Sequence, residues 1–197
     1  MERPSQGDVQ AASFTIGGYD RALPVVFVVL YLVLAAPALW LVAPTRSIIL
    51  SSLLLGAALV WLSINDIKTF RLPDRLTLPL LAAGLGLCAV LEWDDIRWRI
   101  AAAAGAYASL VGIAWLYRRW RGRDGLGQGD AKLLAASGAW LGIDGVPLAL
   151  LAACLAALLV ALAAVAAGRM VTGETRLPFG PFLAGGTWLV WLYGAWM

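Results

Sequence analysis

Residues 47–64 read SIILSSLLLGAALVWLSI, a run of 18 uncharged residues that ends beside Asn65 and Asp66. A helix of that length measures about 27 Å, close to the thickness of the hydrocarbon core of a bilayer. In lipid every backbone polar group must be hydrogen-bonded within the protein, and a helix achieves this within one segment. The stretch therefore predicts a membrane-spanning helix with an acidic residue, Asp66, at its end.

Apolar runs of this kind recur along the chain. Of its 197 residues, 61% are hydrophobic and 14% are charged, whereas a soluble domain carries about 25% charged residues. The sequence predicts an all-α fold, a polytopic transmembrane helical bundle of six or seven segments. A short polar segment, residues 1–21, precedes a single transmembrane domain over residues 22–197. The expected segments are residues 22–42, 47–64, 77–91, 99–117, 132–141, 146–167 and 179–196.

The fifth segment, residues 132–141, is shorter than the roughly 17 residues that a full span needs. Gly142 and Pro147 follow it, and both residue types are unfavourable inside a helix. We expect a bent or partly re-entrant element at this place.

The loops between the segments differ in charge. Residues 66–76 hold three basic residues and residues 118–130 hold four arginines, whereas residues 92–98 hold three acids and one arginine. Cytoplasmic loops of membrane proteins are enriched in Lys and Arg. The first two loops are therefore expected in the cytoplasm and the third outside. The net charge is +3, but the basic residues sit in short loops between apolar runs, where orientation signals of membrane proteins lie, so we expect no nucleic-acid partner.

Two reactive residue types are scarce or missing. The chain has no histidine, and its two cysteines, Cys88 and Cys154, lie deep in apolar runs. This excludes a Ser-His-Asp triad and a zinc site built from His or clustered Cys. We expect no metal and no cofactor. If the protein is a hydrolase, carboxylates are the natural catalytic groups.

Asp66 and Asp130 stand where apolar runs meet the predicted cytoplasmic loops. Charged groups at such depth are costly and usually functional. Two close carboxylates share one proton, so that one can activate water while the other polarises a peptide carbonyl. Simpler interpretations are a helix N-cap for Asp130 and a boundary acid for Asp66. The same acids would also suit a transporter, and the chain could be an inactive scaffold.

Three glycines, Gly125, Gly127 and Gly129, alternate just before Asp130. Glycine permits close approach of another backbone, so an extended peptide could lie here as an added strand. The alternative is a flexible loop that joins two helices.

Three blocks of sequence resemble the bacterial type IV prepilin peptidases. The first is LPDRLTLP at residues 72–79, preceded by Asp66; the second is GQGD at residues 127–130; the third is PFGP at residues 178–181. The blocks occur in the order found in that family. The resemblance covers roughly residues 50–197.

The resemblance implies that Asp66 and Asp130 are the catalytic aspartates. It also implies a set of residues that shape the site or contact substrate, with no metal ligand among them. These residues are Gly127, Gly129, Asp74, Lys132, Pro178, Phe179, Gly180 and Pro181.

Within this set, Asp74 is expected to cap the helix after Pro73 and to pair with Arg75. Lys132 is expected either to extend along the apolar surface towards water or to contact an acid or a substrate carbonyl. The PFGP block at residues 178–181 is expected to pack near the catalytic loop and to shape substrate access.

The implied function is that of an aspartic endopeptidase in the bacterial inner membrane, with its active site facing the cytoplasm. Such enzymes remove the basic leader from prepilins or pseudopilins of pili and type II secretion, after a glycine. Members that also methylate the product carry two Cys-x-x-Cys pairs, which are missing here, so no methyl transfer is expected. The expected partners are prepilin substrates and the lipid bilayer, and the sequence sets no oligomeric state.

Overall fold

The computed structural model describes residues 29, 31–33, 46–70, 72–122, 127–166 and 178–194. The predicted segment at residues 22–42 and the polar segment at residues 1–21 therefore lie largely or wholly outside the described residues. A 3-10 turn at Trp93–Asp95 separates the second and third of the principal helices. These helices are α1 (Arg46–Thr69), α2 (Asp74–Leu91), α3 (Ile96–Arg121), α4 (Gln128–Ala166) and α5 (Gly180–Gly194).

Four helical stretches of the described chain are long and apolar enough to cross a membrane. They confirm the prediction of an all-α membrane protein, and the described residues contain no strand. The number of six or seven segments is not confirmed by these four. The stretches are Ile49–Thr69, Asp74–Leu91, Trp93–Arg121 and Gln128–Ala166.

Helix α4 is broken at Gly142, where φ is 76° and ψ is −172°. Arg99 stabilises the break, because its guanidinium donates a hydrogen bond to the carbonyl of Trp140 and another to Glu92 at 2.9 Å. The carbonyls at a helix end lack partners within the helix, and an arginine can supply them. The first part of α4, residues 128–141, is about 21 Å long. The short fifth segment is thus a bent element, as its length indicates.

The first part of α4 is also the centre of the bundle, packed against α2, α3 and α5. At Gly138 an added Cβ would lie 2.9 Å from the backbone of Ala102, so α3 and α4 approach closely because this residue is small. Ser137 and Thr187 form a buried hydrogen bond of 2.7 Å between α4 and α5. The Asp130-bearing half of α4 is therefore held on several sides by neighbouring helices.

Candidate active site

Asp66 lies in the last turn of α1 and is only 6% exposed. The backbone N–H of Gly180 donates a hydrogen bond of 2.9 Å to Asp66 Oδ2. Gly180 is the first residue of α5, and a helix N-terminus carries a partial positive charge that favours a carboxylate nearby. The PFGP block was expected to pack near the catalytic loop. It contacts Asp66 itself, through the backbone N–H of Gly180.

Gly180 is suited to this contact because it has no side chain. An added Cβ would lie 2.7 Å from Asp66 Oδ2 and 2.9 Å from Asp66 Cγ. Van der Waals contact needs a larger separation, at about 3.5 Å or more between such atoms. Any other residue at position 180 would have to displace the carboxylate.

Asp130 lies in the first turn of α4 and is 9% exposed. Its backbone N–H bonds to the carbonyl of Gly127 at 3.2 Å, and an added Cβ on Gly127 would lie 3.2 Å from Asp130 Oδ2. Because the helix begins two residues earlier, at Gln128, Asp130 is not the helix N-cap. Its carboxylate instead lies beside Gly127, just before the start of the helix.

The two aspartates lie at the same end of the bundle. This end is formed by the C-terminus of α1 and the N-termini of α4 and α5. Asp66 is bonded to the N-terminus of α5 through the Gly180 N–H, and Asp130 lies in the first turn of α4. Two nearly buried carboxylates at such a place can hold one proton between them, which is the arrangement that water-activating aspartate pairs use.

Gly129 packs against Leu72, which belongs to the first sequence block. An added Cβ at Gly129 would lie 2.8 Å from Leu72 Cβ, and Leu72 is itself buried. The missing side chain at this glycine therefore makes room for Leu72. This contact was not visible in the sequence, where the alternating glycines indicated only room for a substrate backbone.

Asp74 and Lys132 form an ion pair, with 2.6 Å between Asp74 Oδ1 and Lys132 Nζ. The prediction that Asp74 caps α2 was wrong, because Pro73 occupies the N-cap position and no side chain caps this helix end. The predicted pairing with Arg75 was also wrong, because the charge partner is Lys132. The physical reason is that the first turn of α2 faces α4. Of the two alternatives for Lys132, contact with an acid is the one observed.

Comparison with known proteins places these features in a family. The profile of the Type IV leader peptidase family matches residues 53–162, a range that includes Asp66, Asp74, Asp130 and Lys132. No solved structure matches the chain.

Several curated relatives carry the name prepilin leader peptidase/N-methyltransferase. The protein of Burkholderia pseudomallei (strain K96243) is 46% identical over 153 residues, which cover 78% of this chain and 49% of the relative. That of Xanthomonas campestris pv. campestris is 38% identical over 148 residues, covering 73% and 50%. That of Aeromonas hydrophila is 36% identical over 145 residues, covering 74% and 50%.

The chain spans about half the length of these curated relatives. The matched family profile, however, covers more than half of this chain and includes both buried aspartates. On that match, the chain belongs to the type IV leader peptidase family.

Proposed function

We propose that the protein is a membrane-embedded aspartic endopeptidase that removes the basic leader from type IV prepilins or pseudopilins. Cleavage is proposed after a glycine, at the cytoplasmic face of the inner membrane, with Asp66 and Asp130 as the catalytic pair. The observation that carries this proposal is the placement of two nearly buried carboxylates, from α1 and α4, at the same end of the bundle.

The proposed chemistry follows from a proton shared by the pair. One carboxylate takes a proton from a water molecule, whose oxygen attacks the scissile carbonyl carbon. The other, protonated, donates a hydrogen bond to the carbonyl oxygen as negative charge develops there. The tetrahedral intermediate collapses when the leaving amine receives a proton, and the C–N bond breaks. No covalent intermediate forms with the enzyme.

Access to the pair supports a peptide substrate. Gly127 and Gln128 are exposed beside the buried Asp130, so a chain can approach the carboxylate from the end of the bundle. The same end receives the C-terminus of α3, whose last turn holds Arg118, Arg119 and Arg121. By the positive-inside rule this end faces the cytoplasm, where a basic leader would meet the membrane.

The names of the relatives include a second activity, N-methyl transfer. The sequence offers no support for this second activity, because it holds neither of the Cys-x-x-Cys pairs associated with methyl transfer. We therefore expect a cleaved product with a free, unmethylated N-terminal amine.

The test is cleavage of candidate prepilins by membranes that contain the protein, with the products identified by mass spectrometry. Asp66→Asn and Asp130→Asn should each lower the cleavage rate by about 100- to 10,000-fold, because an amide neither accepts nor donates the shared proton. The double variant should be hardly slower than either single variant, because the two residues act as one unit.

The matched control is Asp144→Asn, since Asp144 is an exposed acid of the same helix beyond its break at Gly142. It should cleave at the wild-type rate when membrane levels are equal. Robust cleavage by Asp130→Asn would end the aspartic-peptidase proposal. A methylated product formed with S-adenosylmethionine would refute the expectation of an unmethylated amine.

A further inference from the structure

The segment that joins α1 to α2 begins four residues after Asp66. The backbone N–H of Phe70 bonds to the carbonyl of Asp66 at 2.8 Å, and Phe70 has a φ of 50°, so the chain turns sharply where α1 ends. Leu72, Pro73 and Asp74 then lead into α2. Only residues 70–73 therefore separate the end of the helix that carries Asp66 from the start of α2.

The same segment is attached to α4 at two points on either side of Asp130. Leu72 occupies the space beside Gly129, one residue before Asp130. Asp74 pairs with Lys132, two residues after it. One contact is apolar and buried, and the other is a charged contact with defined geometry.

The ion pair is partly open to water. The side chain of Lys132 is 28% exposed and that of Asp74 is 55% exposed. Exposed pairs of this kind shift an equilibrium by only about fivefold or less. The pair is therefore too weak to hold the bundle together, but it is strong enough to select one placement of a short segment.

We infer that Asp74 and Lys132 are positioning residues: their ion pair holds the α1–α2 segment against α4 and so fixes Asp66 relative to Asp130. The inference rests on the proposed function of the two aspartates. The effect of the ion pair is on geometry, and displacements of about 1 Å in a catalytic arrangement can cost about 100-fold in rate.

A different role for Asp74 is direct binding of a cation in the substrate leader, for which its exposed carboxylate is suited. The two roles differ in kinetics. Loss of a positioning contact lowers kcat for every leader, whereas loss of a substrate contact raises KM, and only for leaders that carry the cation.

The experiment compares Asp74→Asn, Lys132→Gln and the charge-swapped double variant Asp74→Lys/Lys132→Asp. Two synthetic prepilin substrates are used, one with a basic leader and one whose leader cations are replaced by Gln. Each single variant should lower kcat about fivefold on both substrates and leave KM within about twofold. The swapped variant should regain most of the lost kcat, because the attraction is restored with the charges reversed.

A matched control is available at the other end of α2. Glu92 pairs with Arg99 at 2.9 Å, and the exposures of 22% for Arg99 and 54% for Glu92 are close to those of the Lys132–Asp74 pair. Glu92→Gln removes an ion pair of similar exposure at the far end of the bundle and leaves the hydrogen bond from Arg99 to the Trp140 carbonyl in place, so kcat should be unchanged. The inference is overturned if the swapped variant is no better than the worse single variant, or if only KM for the basic leader changes.

A second measurement needs no substrate and so separates this inference from the proposed function. Deuterium uptake of a peptide covering residues 66–76, measured on the intact protein, should rise in both single variants and fall back in the swapped variant. Uptake over residues 143–160 serves as the control for folding and should stay constant. Unchanged uptake over residues 66–76 in the single variants would refute the positioning role, whether or not the wild-type protein cleaves prepilins.

Discussion

At the scale of single residues, Gly180 has no room for a side chain beside the proposed catalytic Asp66. Gly180→Ala would place a Cβ 2.7 Å from Asp66 Oδ2 and so displace the carboxylate. We expect kcat/KM for prepilin cleavage to fall by about 100-fold, with little change in the amount of protein in the membrane. Gly185→Ala is the control on the same helix, because nothing lies within 4 Å of its added Cβ. Equal activity of the two variants would contradict the proposed role of Asp66.

The residues of this site differ in how far the sequence could identify them. Asp66 and Asp130 stand at the ends of apolar runs and inside distinctive motifs, so the sequence was enough to select them as candidate catalytic residues. The partner of Asp74 could not be predicted, because Arg75 is adjacent in sequence while Lys132 is brought near only by the packing of α2 on α4. The hydrogen bond from Gly180 to Asp66 could not be predicted either. Nearly every residue has a backbone N–H, and the sequence does not show which of them bonds to a given side chain.

At the scale of elements, the break in α4 depends on a backbone conformation that only glycine adopts readily. Gly142 has a φ of 76° with a ψ of −172°, and a residue with a Cβ is strained there by about 1–3 kcal/mol. Gly142→Ala should therefore lower the stability of the purified protein by about that amount in a detergent melt monitored by circular dichroism.

The control for this element is Gly112→Ala, in the interior of α3 with open space around its added Cβ. Alanine is the better helix former by about 1 kcal/mol, so this variant should be neutral or more stable. A gain in stability at position 142 similar to that at position 112 would mean that α4 runs straight through this point.

The length of an apolar run predicts that an element exists, but not what ends it. The fifth run was too short to span, and Gly142 was identifiable as the place of a bend. The hydrogen bond from Arg99 to the Trp140 carbonyl could not be predicted, because Arg99 stands in the sequence at the start of the preceding apolar run. Arg99 and Trp140 are 41 residues apart in sequence, and the packing of α3 on α4 brings them together.

At the scale of the whole molecule, many large apolar side chains of the described residues face outward, whereas several polar ones are buried. Trp61, Trp115 and Trp120 are all exposed large side chains, whereas Asp66, Asp130, Ser137 and Thr187 are buried. A soluble protein rarely exposes apolar surface on this scale. The distribution fits a bundle that is surrounded by lipid and carries its reactive groups inside, at one end.

The orientation of that end decides whether the aspartates can meet a cytoplasmic substrate. Arg75 and Arg121 lie at the end with the aspartates, and Asp94 lies at the opposite end, in the turn between α2 and α3. In a protein with Cys88 and Cys154 replaced by Ala, single cysteines at positions 75 and 121 should react with an impermeant maleimide only from the cytoplasmic side of membrane vesicles. A cysteine at position 94 should react only from the outside, because basic loops are retained in the cytoplasm. Reaction of positions 75 and 121 from opposite sides would separate Asp66 from Asp130 and contradict the shared site. Reaction of both from the outside would leave the pair intact but place it on the wrong face for removing a leader before export.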